Sequence, residues 1–210
     1  MEMAEAADKS FSTGYFSNPF LGVPFALKDI FHIKGKVTTC GSAVMLENVA
    51  NETSTIVQRL FSAGGVVLGK TKTVEHAFGG WGTNQKMGTP KNPWDMKNHR
   101  IPGGSSSGSA VAVSSGMAPC SVGSDTGGSV RLPAAFCGLV GLKVTAGRLP
   151  TKGIMPLSQT LDTPGPITQT VLDSLIMFDV LDGREGWKIA KDLDRGEGIY
   201  GLLNRGICGL

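Results

Sequence analysis

The chain has 210 residues, 40% hydrophobic and 18% charged, a size and balance that suit one sizeable globular core. Twenty basic against 17 acidic side chains give a net charge of +3 without a dense Lys/Arg run, so nucleic acid is not an expected partner. No apolar run reaches the roughly 18 residues needed to cross a bilayer, no secretory segment opens the chain, and the four cysteines (Cys40, Cys120, Cys137, Cys208) lack CxxC spacing. The expectation is therefore a cytoplasmic protein with reduced thiols and no membrane partner.

Residues 1–19 begin with an acidic, alanine-containing stretch that can start a short helix, then pass into Ser, Gly, Asn and Pro. Leu21 to Lys28 reads as a buried strand interrupted at Pro24. Thr53 to Ala63 reads as an amphipathic helix, with Ile56, Val57, Leu60 and Phe61 on one face and Gly64 as the stop. Gly65 to Lys70 reads as a second buried strand, and strand, helix, strand at this spacing predicts a right-handed parallel crossover. Gly64-x4-Gly69-Lys70-Thr71 fits a phosphate-loop pattern, but the helix precedes it and apolar Val66-Val67-Leu68 fill the cradle, so no nucleotide site is expected. Residues 73–78 predict a helical turn and 79–101 a long loop. Phe78, Trp81 and Trp94 either line a cleft or anchor packing, and packing is the favoured role. His32, His76 and His99 are dispersed without metal-ligand spacing, so no metal is expected.

The stretch from Ile101 to Ser129 organises the chain. Two Gly/Ser clusters, Gly103-Gly104-Ser105-Ser106-Ser107-Gly108 and Gly123-Ser124-Asp125-Thr126-Gly127-Gly128-Ser129, flank a run of small apolar residues. Ser107 to Met117 predicts a tightly packed helix, and Pro119 to Gly123 a central strand. Glycines around a hydroxyl can hold it against open backbone N–H groups, which suit an anion or a developing oxyanion. Ser129 is therefore a candidate nucleophile and Ser105 its candidate partner; either cluster alone would equally suit an ordinary turn or linker. Asp125 and Arg131 flank the turn, as its support or as a plain ion pair, with support favoured. Leu132 to Cys137 predicts a helix and Leu139 to Val144 a strand. Thr163-Pro164-Gly165-Pro166 reads as a turn. Thr170 with Asp173 makes a helix cap, and Val171, Leu172, Leu175 and Ile176 give a last helix ending at Gly183.

With Arg131-Leu132-Pro133 and Gly141-Leu142-Lys143 following these clusters, and Gly22-Val23-Pro24-Phe25-Ala26-Leu27-Lys28-Asp29 preceding them, the sequence resembles the amidase signature family over roughly residues 20–182. The resemblance implies an α/β fold: a mixed, largely parallel sheet core flanked by helices, here incomplete because family members are considerably longer. It divides the chain into an N-terminal segment (1–19), a core (20–182) and an atypical tail (183–210). It further implies hydrolysis of a carboxamide C–N bond by a Ser–Ser–Lys triad of Ser129 as nucleophile, Ser105 as bridge and Lys28 as base, through an acyl-enzyme. A cis peptide at Gly104–Ser105, an oxyanion hole from the N–H groups of Thr126, Gly127, Gly128 and Ser129, and support from Gly104, Ser106, Asp125 and Arg131 complete the implied site. No cofactor is implied. The substrate would be a small-molecule amide, small or aryl, since no acyl-chain channel or membrane-binding helix is evident. One alternative is a protein like the ammonia-generating A subunit of a tRNA-charging amidotransferase, which would need partner subunits. The other is a catalytically silent fragment that only binds. Exposed core surface would favour self-association into a homo-oligomer.

Overall fold

The computed structural model describes residues 1–14 and 18–184. Five strands form one sheet: β1 (Pro24–Lys28), β2 (Val66–Thr71), β3 (Cys120–Asp125), β4 (Val140–Gly141) and β5 (Thr163–Thr168), in the spatial order β2-β1-β3-β5-β4. β1 pairs in parallel with both β2 and β3, whereas β5 runs antiparallel to β3 and to β4. Four of the five strands therefore point the same way, the mixed and largely parallel sheet expected.

Five helices surround it: α1 (Glu2–Ser12), α2 (Thr55–Ser62), α3 (Ser107–Ser114), α4 (Arg131–Phe136) and α5 (Val171–Leu181). α2 begins where the Ser54 hydroxyl accepts from the Val57 N–H at 3.3 Å, and it buries Ile56, Val57 and Leu60. Those side chains join Phe25, Leu27, Cys120 and Val122 from the sheet and Met177, Phe178 and Leu181 from α5 in the larger core cluster. Ser121 serves the other face, where its hydroxyl donates to the Ser109 carbonyl of α3 at 3.0 Å. A second cluster there gathers Ala110, Val130, Ala134, Cys137 and Ile167. The small residues of α3 let backbone approach backbone. A Cβ at Gly108 would stand 2.5 Å from the Lys72 nitrogen and 2.6 Å from its carbonyl oxygen.

β2, expected to be a buried strand, is instead an edge of the sheet with Leu68 and Gly69 exposed, and two further expectations fail. Thr163-Pro164-Gly165-Pro166 is not a turn but the first two-thirds of β5, a buried interior strand. Proline cannot donate to a ladder and is normally kept to edges. Here the Pro166 carbonyl accepts from Leu142 N at 3.2 Å, so the prolines present their missing N–H groups to the β4 side, where pairing is only two residues long. That short pairing is the second of these two: of the strand expected over 139–144, only Val140–Gly141 forms.

Lys70 lies on β2, and its ammonium donates to Asp29 Oδ1 (2.9 Å), the Val37 carbonyl (2.9 Å) and Thr38 Oγ1 (2.6 Å). It ties the strand to a neighbouring loop. Cys40, Cys120 and Cys137 are free and buried; Cys208 and the rest of the expected tail from residue 185 onward lie outside the described residues.

Candidate active site

Lys28 ends β1 and has no exposed surface. Its Nζ lies 2.7 Å from Ser105 Oγ and 2.8 Å from Ser124 Oγ. Burial strips solvent from the ammonium and lowers its pKa from 10.5 to about 7, although the charges of Asp162, Asp125 and Cys40 act to raise it. A lysine in this state is neutral in part near pH 7, with a lone pair able to accept a proton.

Ser105 is buried and sits on the cis Gly104–Ser105 peptide. Gly104 permits the crossing of a neighbouring loop: its N–H donates to the Gly80 carbonyl at 2.7 Å, and a Cβ would come within 2.7 Å of Gly79 O and Gly82 N. The Ser106 N–H donates to the Ser129 carbonyl at 3.2 Å, which lays the bridging segment beside the proposed nucleophile. Ser106 Oγ also contacts Ser124, donating to its carbonyl and accepting from its N–H, both at 3.3 Å.

The turn after β3 is wound around one carboxylate. Asp125 is fully buried and accepts from the N–H groups of Gly128 (2.8 Å), Val130 (3.2 Å) and Arg131 (3.3 Å). The Arg131 guanidinium adds a bidentate pair, Nε to Oδ2 and Nη2 to Oδ1, each at 3.0 Å. Burial pushes the Asp125 carboxyl pKa up, but the guanidinium and the backbone donors more than offset this and hold it below the usual range. Asp125 and Arg131 thus support the turn and are more than a surface pair. Ser129 is half-buried, and its hydroxyl carries no hydrogen bond among the described residues. The Gly128 N–H is spent on Asp125 and so is withdrawn from the four N–H groups of the expected oxyanion hole.

Two residues of the site escaped the sequence reading. Ser124 supplies the second hydroxyl to Lys28, and Asp162 accepts from the Thr126 hydroxyl. Ser124 sits inside the Gly123–Ser129 cluster, where hydroxyl content was the available signal; Asp162 lies 33 positions from the proposed nucleophile (162 minus 129) and has no local signal. The aromatic expectation also needs correction. Phe78, Trp81 and Trp94 are 79%, 68% and 73% exposed, so they are not packing anchors. Trp94 is fastened only at its edge, with Nε1 donating to the Cys137 carbonyl at 2.9 Å. Phe78 and Trp81 line an open groove of about 660 Å³ on the loop that crosses Gly104. Among the described residues, no group of three or more His, Cys, Asp or Glu side chains is placed to hold a metal ion. None of their helices is long and apolar enough to cross a membrane.

A family model described as Amidase matches residues 1–195. The chain belongs to the amidase family. This amidase-family chain is 45% identical to a 2-amino-5-chloromuconic acid deaminase of Comamonas testosteroni over 85% of its own length and 39% of the relative's. It is also 45% identical to the A subunit of a glutamyl-tRNA(Gln) amidotransferase from Prochlorococcus marinus, covering 85% of the chain and 36% of the relative. The crystal structure of a peptide amidase from Stenotrophomonas maltophilia superposes with a TM-score of 0.80 at 36% identity, over 87% of this chain and 38% of that one. The chain thus spans less than two-fifths of the length of these relatives.

Proposed function

We propose that this chain carries the catalytic core of an amidase that cleaves a carboxamide C–N bond through an acyl-enzyme on Ser129. The observation that carries the reading is the buried Lys28 ammonium, lowered to about 7 and held 2.7 Å from Ser105. A serine hydroxyl is a poor nucleophile until a base takes its proton. Neutral Lys28 offers two N–H groups and one lone pair. With Ser124 accepting one N–H, the lone pair is free to point at Ser105. Ser105 then gives its proton to Lys28 Nζ as it receives that of Ser129, and Ser129 Oγ bonds to the carbonyl carbon. The oxyanion is held by the N–H groups of Thr126, Gly127 and Ser129, each donor of this kind contributing about 3 kcal/mol. The C–N bond breaks as the proton on Lys28 returns through Ser105 to the departing nitrogen, releasing ammonia or an amine. Water, deprotonated by the same relay, hydrolyses the ester.

A small or aryl acyl group is the substrate class of this reading, and Phe78 and Trp81, in the open groove on the loop that crosses Gly104, are aromatic faces that could pack on such a group. The relatives named as amidotransferase subunits support a second reading within the same chemistry, in which glutamine is the ammonia source. The test is intact-mass spectrometry after incubation with a fluorophosphonate. One adduct on the wild-type chain, absent in Ser129→Ala, is expected. Full labelling of Ser129→Ala would sink the nucleophile assignment, and no adduct on folded wild type would favour the silent fragment.

A further inference from the structure

We propose that Asp162 is a positioning residue of this site: it tethers the nucleophile turn through the Thr126 hydroxyl and stands across a cavity from the Ser124–Lys28 pair as the lysine's counter-charge. The inference rests on the reading of Lys28 and Ser129 above.

Asp162 precedes β5, and its carboxylate is aimed by the backbone. Oδ2 accepts from the N–H groups of Leu157 at 2.8 Å and Ser158 at 3.0 Å, while Oδ1 is left to the Thr126 hydroxyl. The nucleophile turn is thereby held by two carboxylates with separate grips. Asp125 takes its second half, at Gly128, Val130 and Arg131. The first half, Thr126 and Gly127, carries N–H groups assigned to the oxyanion and has no other side-chain tether. A carboxylate acceptor makes a stronger bond to a hydroxyl than a neutral one does.

Most of the charges around Lys28 are already matched. Lys28 is faced by Asp125 and Ser124 from β3, Cys40 from the loop after β1, and Asp162 from the turn before β5. Asp29 and Lys70 lie just beyond, beside Cys40. Asp29 is paired with Lys70 and Asp125 with Arg131. Among the described residues Asp162 has no such ion pair, which leaves Lys28 as the cation its charge is available to. A cavity of about 280 Å³ lies between Asp162 and Ser124, the residue that hydrogen-bonds Lys28, with Ser158, Gln159 and Thr151 beside Ile154, Pro156 and Pro164 in its wall. By opposing the effect of burial, Asp162 keeps the pKa of Lys28 near neutrality, where the lysine can both take and return a proton.

The two halves separate by mutation. Lysines labelled with 13C at Cε are followed by NMR across pH in the full chain, with the Lys28 signal assigned by its loss in Lys28→Met. Asp162→Asn keeps a side chain of the same shape without the charge and is expected to move the Lys28 midpoint to lower pH. Thr126→Val removes the tether alone; it is expected to leave that midpoint in place and to speed amide exchange at Gly128, whose buried N–H is bonded to Asp125 in the same turn, by roughly tenfold or more. An unmoved midpoint in Asp162→Asn, or unchanged exchange in Thr126→Val, overturns the proposal. If Asp162→Asn does not fold, Thr126→Val decides: faster exchange with the midpoint retained supports the tether, and unchanged exchange overturns it. Fluorophosphonate labelling is run beside these titrations. A chain that fails to label counts against the nucleophile reading, while the lysine titration still reports on Asp162.

Discussion

Lys28→Met should remove the part of the pH dependence of stability that Lys28 contributes. The folded chain sheds the Lys28 proton at about 7, whereas the unfolded chain keeps it to 10.5. Between these values the unfolded state binds more protons, so raising the pH stabilises the fold. Below pH 7 both states are protonated and the buried ammonium imposes its full cost, about 5 kcal/mol for the 3.5-unit gap at ~1.4 kcal/mol per unit. Methionine fills a similar volume without the charge. It leaves the Ser105 and Ser124 hydroxyls without their lysine partner, but that loss does not vary with pH and enters as a constant offset. Lys70, whose pKa is also lowered by burial, is common to both proteins and cancels. Urea unfolding of the wild type and Lys28→Met at pH 7, 8 and 9 should therefore show the wild type gaining on the variant by up to about 3 kcal/mol over the two units. Parallel stability curves would refute the depressed lysine and, with it, the base.

Asp125→Asn replaces an acceptor that serves three backbone N–H groups and a guanidinium, and should cost about 2–3 kcal/mol in urea unfolding while abolishing Ser129 labelling. Because the Asp125 pKa is held below 3.8, that stability is complete above 3.8 in the wild type and drains away as the pH falls towards the folded value. Gly108→Ala should lower stability by about 1–3 kcal/mol, since its Cβ meets the Lys72 backbone. Gly127→Ala meets nothing within 4 Å and should leave the melting temperature nearly unchanged while slowing fluorophosphonate labelling, because the new methyl group stands beside the proposed oxyanion donors. An unchanged labelling rate in Gly127→Ala would remove Gly127 from that hole.

What the sequence made legible was whatever is encoded locally. α2 has its cap, its buried stripe and its stop within about a dozen residues, and α5 likewise carries Thr170 and Asp173 at its start. The two Gly/Ser clusters announced a site because glycine at Gly104 and Gly108 answers backbone contacts that no other residue tolerates. What could not be read depends on partners far along the chain. Local turn chemistry misread β5 because it cannot know that β4 will pair so briefly beside it. Phe78 and Trp81 looked like packing anchors by residue type, yet their loop is fastened by backbone contacts at Gly104 and does not need their rings. Asp162 left no trace, since its meaning comes only from Thr126 and Lys28.

The sheet explains why such separated residues meet at all. β1 and β3 are parallel neighbours, with Leu27 opposite Val122, so both strands deliver their C-terminal ends to one edge. Chemistry at that edge is the general habit of parallel strands. Lys28 is the last residue of β1, and β3 ends at Asp125, immediately before the turn that carries Ser129. β5 runs the opposite way, so it is its N-terminal end that reaches the same edge: Thr163 pairs with Asp125, and Asp162 just before it arrives beside Thr126. A strand parallel to β3 would have delivered its far end there instead, and residue 162 would lie at the opposite edge. The antiparallel direction of β5, made possible by prolines turned towards a two-residue partner, is thus what allows a second carboxylate to reach the nucleophile turn.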